Sequence, residues 1–535
     1  MLKPTKEQAQ LIKYFKTGKS LKIEACAGSG KTSTLLMMAS ETTRPCLYLA
    51  FNAAIKEEAS KKFPKYVTCY TSHGLAHVYI KKYYNRRGRM MPKLLKEALG
   101  LEDKFEGLST NRMLERAIQG INNFCLSADP VLGPIHFPQF KIADDRRQMY
   151  ERKLLVAMQN AWRLMCDEDS DLPVTYDFCL KLWSMEDPGP VAEIVFLDEA
   201  QDANALLLHI LKRWQEQGVQ VVFVGDRFQQ IYSWRGAVNA METIKTDHTG
   251  ALTRSFRYGE AIADVANTVL IKHRGVHSNI QGHEIDSQLV EHMEAPKAYL
   301  CRTNAVVIEQ LVKLLDKGID CAIAGGVDEL LAMLKDARRL QAGQYARSKD
   351  LRSFDDWEEV VDHAELEIGQ DLKPFIRLVE HYGVAGLESL VKCVEEHKVE
   401  EAEVVLSTAH KSKGLEFESV KLAGDFYPKY MAPDKPHPLW SEEEAHLLYV
   451  AVTRAVKYLD VSECRAVLEA MELETPQNLQ KVTLTTQDLP SFGELSEASL
   501  AKLVAFAKEQ QLDLDDALSL LLQNYTCTNR QMGLF

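Results

Sequence analysis

No stretch of this 535-residue chain is apolar for the length that a membrane-spanning helix requires, and its N-terminus lacks the apolar core of a signal peptide. Those absences argue for a soluble chain inside the cell, without a membrane partner. The eleven cysteines are scattered, with no C-x-x-C pair and no regular spacing. That excludes a disulfide scaffold or a zinc ribbon and fits small core residues in a reducing compartment. There is no internal repeat and no low-complexity tract, which excludes a solenoid. Positive charge is also scarce, 64 Lys and Arg against 76 Asp and Glu for a net charge of −12. By itself the deficit speaks against nucleic acid, but phosphate binding depends on where the positive charge sits, and one basic groove works on an acidic body.

What is present is the composition of a globular protein, 46% apolar and 26% charged, in a chain too long for one ordinary core. Acidic residues cluster at 355–367 and 395–403. A basic, aromatic-studded run, Lys81-Lys82-Tyr83-Tyr84-Asn85-Arg86-Arg87-Gly88-Arg89, lies elsewhere. Short apolar runs at 47–50, 193–197 and 219–224 read as buried parallel strands, and 21–25 is a strand-like run. Between 76 and 185 the periodicity turns helical. A second α/β pattern begins near Leu252, is interrupted by helical, charged sequence at 331–399, and resumes near Val404.

Ala25-Cys26-Ala27-Gly28-Ser29-Gly30-Lys31-Thr32 lies between a strand-like run, 21–25, and a helix-like run, 32–39. Glycines there let backbone N–H groups turn toward phosphate oxygens, and the helix N-terminus adds its positive dipole. Lys31 would reach the β- and γ-phosphates and the Thr32 hydroxyl would ligate Mg²⁺, with Ala27, Gly28, Ser29 and Gly30 forming the cradle. Ala25 stands where the strict pattern has glycine. Val195-Phe196-Leu197-Asp198-Glu199-Ala200-Gln201-Asp202 is an apolar strand ending in acids. Asp198 would hold the metal's water shell, and Glu199 would orient or deprotonate the attacking water.

Further ordered motifs give the chain a close resemblance to superfamily 1 helicases of the UvrD/Rep type. Thr5-Lys6-Glu7-Gln8 resembles the family's glutamine motif, which implies that Gln8 reads adenine. Gly225-Asp226-Arg227-Phe228-Gln229-Gln230-Ile231-Tyr232-Ser233-Trp234-Arg235-Gly236-Ala237 implies that Gln229 senses the γ-phosphate while Trp234 and Arg235 face the strand. Leu252-Thr253-Arg254-Ser255-Phe256-Arg257 implies that Phe256 stacks on adenine in place of the usual tyrosine and that Arg257 contacts the γ-phosphate. Thr408-Ala409-His410-Lys411-Ser412-Lys413-Gly414-Leu415-Glu416-Phe417 implies nucleic-acid contacts from His410 and Lys413 and a ribose contact from Glu416. Tyr449-Val450-Ala451-Val452-Thr453-Arg454-Ala455 implies that Arg454 is an arginine finger.

Within that group the likeness is closest to the F-box DNA helicases, carried by segments such as Tyr176-Asp177-Phe178-Cys179-Leu180-Lys181-Leu182-Trp183. No F-box stands ahead of the glutamine motif. Without an adaptor for a ubiquitin ligase, a bacterial or phage relative is expected, cytoplasmic and associated with the nucleoid.

The resemblance implies an α/β fold of two RecA-like P-loop NTPase lobes with helical insertions. On that plan 1–75 and 186–245 form the first lobe (1A) and 76–185 its helical insertion (1B). Residues 246–330 and 400–465 form the second lobe (2A), with 331–399 a reduced accessory domain (2B) and 466–535 an extension. ATP and Mg²⁺ are the implied cofactors, and single-stranded or tailed duplex DNA the implied partner. Phe51 and Trp234 are the stacking candidates, and Thr71 and His73 the backbone contacts. His77 is read as packing, and Tyr232 as either stacking or core. The run 81–89 admits two readings, phosphate contact near a duplex junction or a solvated charged face. The terminal Gln531-Met532-Gly533-Leu534-Phe535 resembles a bacterial sliding-clamp-binding peptide, in which Gln531, Leu534 and Phe535 would fill an apolar cleft. The same residues could instead tuck into their own protein.

The expected activity is ATP-dependent 3′→5′ translocation and unwinding in repair, recombination or replication. The polarity follows from resemblance alone. A second expectation is a DNA-activated regulatory or defence ATPase that unwinds little and relies on a separate nuclease, since no nuclease motif is visible. RNA specificity ranks below both, because no motif reads a 2′-hydroxyl.

Overall fold

The computed structural model describes residues 3–102, 104–105, 108–140, 144–231, 240–348, 350–352, 354, 356–365, 372–427 and 440–472. The chain divides between Thr253 and Arg254 into two compact units. Among the described residues no helix is long and apolar enough to cross a membrane.

The first unit contains strands β1 (Leu21–Ala25), β2 (Cys46–Ala50) and β3 (Val67–Thr71), and the small antiparallel hairpin β4 (Lys104–Phe105) and β5 (Leu108–Ser109). It continues with β6 (Ile194–Leu197), β7 (Gln220–Gly225) and β8 (His248–Leu252). Apart from the hairpin, the strands pair in parallel in the order β3-β2-β6-β7-β1-β8. Strands β2, β6 and β7 are buried at every residue, as parallel strands covered on both faces must be, whereas the edge strands β3 and β8 include exposed residues.

Successive side chains alternate between two cores. Tyr48, Phe196 and Val222 pack with Leu11 and Phe15 of the helix Lys6–Phe15 and with Leu35 and Met38 of the helix Lys31–Ala39. On the other face, Leu47, Leu49, Val195, Leu197 and Phe223 share one core with Leu95, Phe124, Leu154 and Phe178. The helical stretch 76–185 is thus continuous with the sheet's own core.

The lobe boundary expected at 246 needs correction. His248–Leu252 adds to the first sheet alongside β1. Glu7 closes that edge by accepting from the Thr253 amide at 3.1 Å and its hydroxyl at 2.7 Å, and Tyr14 stacks on His248 at 4.7 Å.

The second unit contains β9 (Gln288–Val290), β10 (Ala298–Cys301), β11 (Cys321–Ile323), β12 (Val404–Thr408), β13 (Phe417–Leu422) and β14 (Ala455–Asp460). These are also all parallel, ordered β11-β12-β10-β13-β14-β9. The segment 331–399, expected as a reduced accessory domain, supplies helices whose Leu334, Leu340, Phe375, Leu378 and Leu387 join Tyr299, Leu406 and Ile308 in a single core. Its described part covers one face of the second sheet and encloses no core of its own.

Candidate functional site

Parallel strands end on one side of a sheet, and loops leaving those ends are the natural place for ligands in an open α/β fold. In the first unit that side gathers nearly every sequence-predicted group. Along it, β3 ends at Thr71 and β2 is followed by Phe51; β6 delivers Asp198 and Glu199, β7 delivers Asp226 and Gln229, and β1 opens the glycine loop.

Gly28 (φ 74°) and Gly30 (φ 77°) sit in the left-handed region, a conformation that glycine adopts without steric cost, and Lys31 begins the helix. The Lys31 ammonium meets the Glu199 carboxylate at 2.6 Å, and the Thr32 hydroxyl donates to Asp198 Oδ2 at 3.3 Å. Burial alone would pull the lysine down, but the charges of Glu199, Asp198 and Asp226 outweigh it and hold Lys31 above its ordinary value. Burial, and then repulsion from Glu199, push the Asp198 carboxyl up, against the Lys31 charge and the Tyr48 hydroxyl bond. Glu199 itself is held with a positive φ of 52°, a sparsely populated conformation of the sort found at functional turns.

Three partners here were missed in the sequence. Tyr48 donates its hydroxyl to Asp198 Oδ2 at 2.6 Å. The Gln201 amide donates to Glu199 Oε2 at 2.5 Å, and its Oε1 accepts from the Asp226 amide at 3.1 Å. Asp226 Oδ2 in turn accepts from Gln229 Nε2 at 2.9 Å. A relay Glu199–Gln201–Asp226–Gln229 therefore links the ends of β6 and β7. Gly225 is part of its cost: a Cβ there would come within 2.4 Å of Gln201 Oε1. Tyr48 lies in the apolar run 47–50 and Gln201 in the motif that ends β6, so their positions were visible while their contacts were not.

Gln8 is buried. Its Oε1 accepts from the Thr5 amide in a capping box, and its Nε2 donates to Thr34 Oγ1 at 3.1 Å. It thereby ties the first helix to the helix that follows the glycine loop. Ala27 and Ser29 are buried within that loop. Burial, with Asp226 and Glu7 adding to it, raises the Cys26 thiol, which stays protonated and packs as a small core group. Thr71 Oγ1 accepts from the Gly74 amide at 3.2 Å, and His73 Nε2 lies 2.8 Å from Asp177.

In the second unit, Arg257 donates from Nε to Glu416 at 2.8 Å and from Nη1 to the Thr453 carbonyl at 3.1 Å. Phe256, 40% exposed, stands edge-on to His283 at 5.2 Å. Arg454, the expected finger, is held within the second unit. It is 1% exposed and donates to the carbonyls of Val450 (2.9 Å) and Leu415 (3.0 Å) and to Thr453 Oγ1 (3.2 Å). Its own carbonyl accepts from the Phe417 amide at 2.9 Å. Arg454 thus binds on both sides of Glu416, bracing the residue that Arg257 grips.

Glu416 and Arg454 immediately precede β13 and β14, whereas His410 and Lys413 follow β12. The crossover 409–416 accordingly runs from the C-terminal end of β12 back to the N-terminal end of β13. Trp234, Arg235 and Tyr232 lie outside the described residues, as do Gln531, Leu534 and Phe535.

A parallel sheet whose strand ends hold a glycine-kinked loop, a Lys-Thr pair and a buried aspartate defines a P-loop nucleotide-binding protein. The donor set suits a magnesium nucleotide: one hydroxyl and one carboxylate, both hard oxygen ligands, beside a lysine for the phosphates. Residues 101–466 match the family model for the UvrD-like helicase C-terminal domain, and the chain belongs to the UvrD-like helicases. It is similar to F-box DNA helicase 1 of Gallus gallus, 33% identical over 86% of this chain and 49% of that protein. It is also similar to F-box DNA helicase protein 1 of Schizosaccharomyces pombe, 28% identical over 88% of this chain and 58% of that protein. The chain spans about half the length of the curated relatives it matches. A solved complex of the arterivirus nonstructural protein 10 helicase with DNA aligns over 85% of this chain and 62% of that one. Its identity is 12% and its TM-score 0.30, too low to establish a shared fold.

Proposed function

We propose that this chain is an ATP-driven motor on single-stranded DNA, moving 3′→5′ and separating tailed duplexes in repair, recombination or replication. The observation that carries the proposal is the quartet at the first sheet's edge, where Lys31 and Thr32 of the glycine loop meet Glu199 and Asp198. On this reading Lys31 moves from Glu199 to the β- and γ-phosphates when the triphosphate binds. That frees Glu199 Oε1 to take a proton from water, while Gln201 keeps Oε2 in place. Magnesium, held by Thr32 and Asp198, would neutralise charge on the phosphates. Gln229, at the far end of the relay, would report the presence of the γ-phosphate.

In the second unit, Arg257 would neutralise charge on the transferring phosphoryl group, Glu416 would bind the ribose and Phe256 would stack on adenine. Arg454, assigned as a finger by resemblance, would serve chiefly by bracing Glu416 and Arg257. Gln8 would act on adenine recognition by fixing the helix that follows the loop. Phe51, Thr71, His73, Trp234, Arg235, His410 and Lys413 would carry the strand. The terminal Gln531, Leu534 and Phe535 would dock on a sliding clamp.

The test is phosphate release by the purified chain with and without unpaired oligonucleotide, together with unwinding of 3′- and 5′-tailed duplexes and a Lys31→Ala control. Strong stimulation and unwinding of 3′-tailed substrates are expected. Stimulated hydrolysis without unwinding would favour a DNA-activated regulatory ATPase, and absence of stimulation would overturn the motor. Deleting the last five residues should abolish clamp binding and leave hydrolysis intact; retained clamp binding would refute the terminal assignment.

A further inference from the structure

The basic run 81–89 divides, residue by residue, into structural and outward-facing groups. Arg86 is structural. Its guanidinium donates to the carbonyls of Leu172 (2.9 Å), Asp167 (2.6 Å) and Met165 (3.1 Å). Backbone bonds reinforce that seam, from Val174 N to Arg86 O at 2.7 Å and from Gly88 N to Val174 O at 3.2 Å. Lys82 pairs with Glu168. Arg87, the next residue after the anchor, is exposed.

The same seam fixes what Arg87 meets. Thr175 caps the helix Tyr176–Met185 by accepting from the Phe178 amide, which places Tyr176 at the helix's first position beside Arg87. The Arg87 guanidinium lies 3.9 Å from the Tyr84 ring centre and 5.6 Å from that of Tyr176, and its Nη1 donates to the Tyr176 hydroxyl at 2.6 Å. Tyr176 lies 5.8 Å from the His73 ring, and His73 meets the Asp177 carboxylate. The result is a row, Tyr84–Arg87–Tyr176–His73, that starts in the helical stretch and ends two residues beyond β3. Tyr84 is 60% exposed and Tyr176 46% exposed. Two large rings are thus held open to solvent by contacts that fix their positions.

We propose that Tyr84, Arg87 and Tyr176 form a stacking platform for the bases of an unpaired DNA strand, extending the path from Thr71 and His73 onto the helical stretch. Aromatic rings and a guanidinium plane offer flat, sequence-tolerant surfaces to bases, and Arg87 adds positive charge for the backbone. The platform rests on the reading that the chain binds single-stranded DNA.

The full chain is titrated into a fluorescein-labelled oligo-dT without nucleotide, as wild type, as Tyr84→Ala/Tyr176→Ala and as Tyr84→Phe/Tyr176→Phe. The alanine pair should weaken binding at least ~10-fold, since each lost stacking contact is worth roughly 5-fold or more, while the phenylalanine pair stays within about 2-fold. Arg87→Ala should weaken binding and reduce the salt slope by about 1. Affinity for a fluorescent ATP analogue should not change in any variant. Wild-type chain irradiated with a 5-iododeoxyuridine oligonucleotide should give adducts at Tyr84 or Tyr176 by mass spectrometry. Unaltered oligo-dT affinity in the alanine pair, or phenylalanine variants as weak as alanine ones, or adducts confined to other residues, would each overturn the platform while leaving the motor standing. Failure of the wild type to bind oligo-dT would remove both.

Discussion

Asp198 and Asp425 occupy corresponding places, each buried just beyond the C-terminal end of an inner strand, β6 in one sheet and β13 in the other. Burial raises both carboxyls, Asp425 to about 6. Their partners set them apart. Asp425 accepts from the backbone amides of Arg302 and Thr303, both at 2.9 Å, and from the Thr303 hydroxyl at 3.0 Å, so it locks the turn after β10. Asp198 is repelled by Glu199 and receives the Tyr48 and Thr32 hydroxyls. A buried acid satisfied by main-chain donors is a structural clasp. One crowded by a like charge and met by side chains that can move is equipped for chemistry.

The largest effect that would sharpen this contrast is on turnover. Glu199→Gln should lower kcat for oligonucleotide-stimulated hydrolysis by roughly 10²–10⁴ with nucleotide affinity nearly intact, measured by phosphate release and ligand titration. An active Glu199→Gln would end the assignment of that edge to chemistry.

Next come the two arginines of the second unit. Arg257→Ala should cost about 10²–10³ in kcat and lower the melting temperature only slightly, since its carboxylate partner Glu416 is exposed and one carbonyl, that of Thr453, loses a donor. Arg454→Ala should instead lower the melting temperature by several degrees, because buried carbonyl acceptors lose their donor. Equal melting temperatures for the two variants would favour Arg454 as a mobile finger over a brace.

Asp425 sets a pH dependence of opposite origin to the usual acidic group. Its folded value of about 6 exceeds the ordinary 3.8, so folding favours the protonated form. The stability it contributes is complete below the ordinary value and is lost as pH rises through about 6. Denaturant titrations should show Asp425→Asn with a flatter stability slope between those limits than wild type, from a lower starting point. The smallest effect is expected from Tyr48→Phe, which should raise the magnesium needed for half-maximal hydrolysis by about 10-fold while hydrolysis at saturating magnesium is largely kept.

Much of the first unit could be read locally. The strand-like run 21–25 is β1, with Lys22 and Glu24 half-buried between apolar residues, and the runs at 47–50, 193–197 and 219–224 fall within one residue of β2, β6 and β7, because parallel strands covered on both faces are largely apolar. The glycine loop and the acidic strand end were equally plain. The hydroxyl of Tyr48 on Asp198 was not, since the two are 150 residues apart and a buried tyrosine in an apolar run looks like core. Strand β8 was misassigned for a related reason: its residues His248-Thr249-Gly250-Ala251-Leu252 have little apolar pattern, and only pairing with β1 gives it a sheet.

Sequence by itself determined the list of chemical groups and their order along the chain, because loop glycines, strand-end acids and helix caps are local matters of conformation and polarity. Tertiary structure alone decided which of those groups work together and which merely hold. Arg454 points into its own loops, Arg86 clamps a seam while Arg87 stays outside, and the helices of 331–399 close over a sheet. Each outcome depends on contacts between distant residues, where burial, charge and close packing act together and no short window of sequence records them.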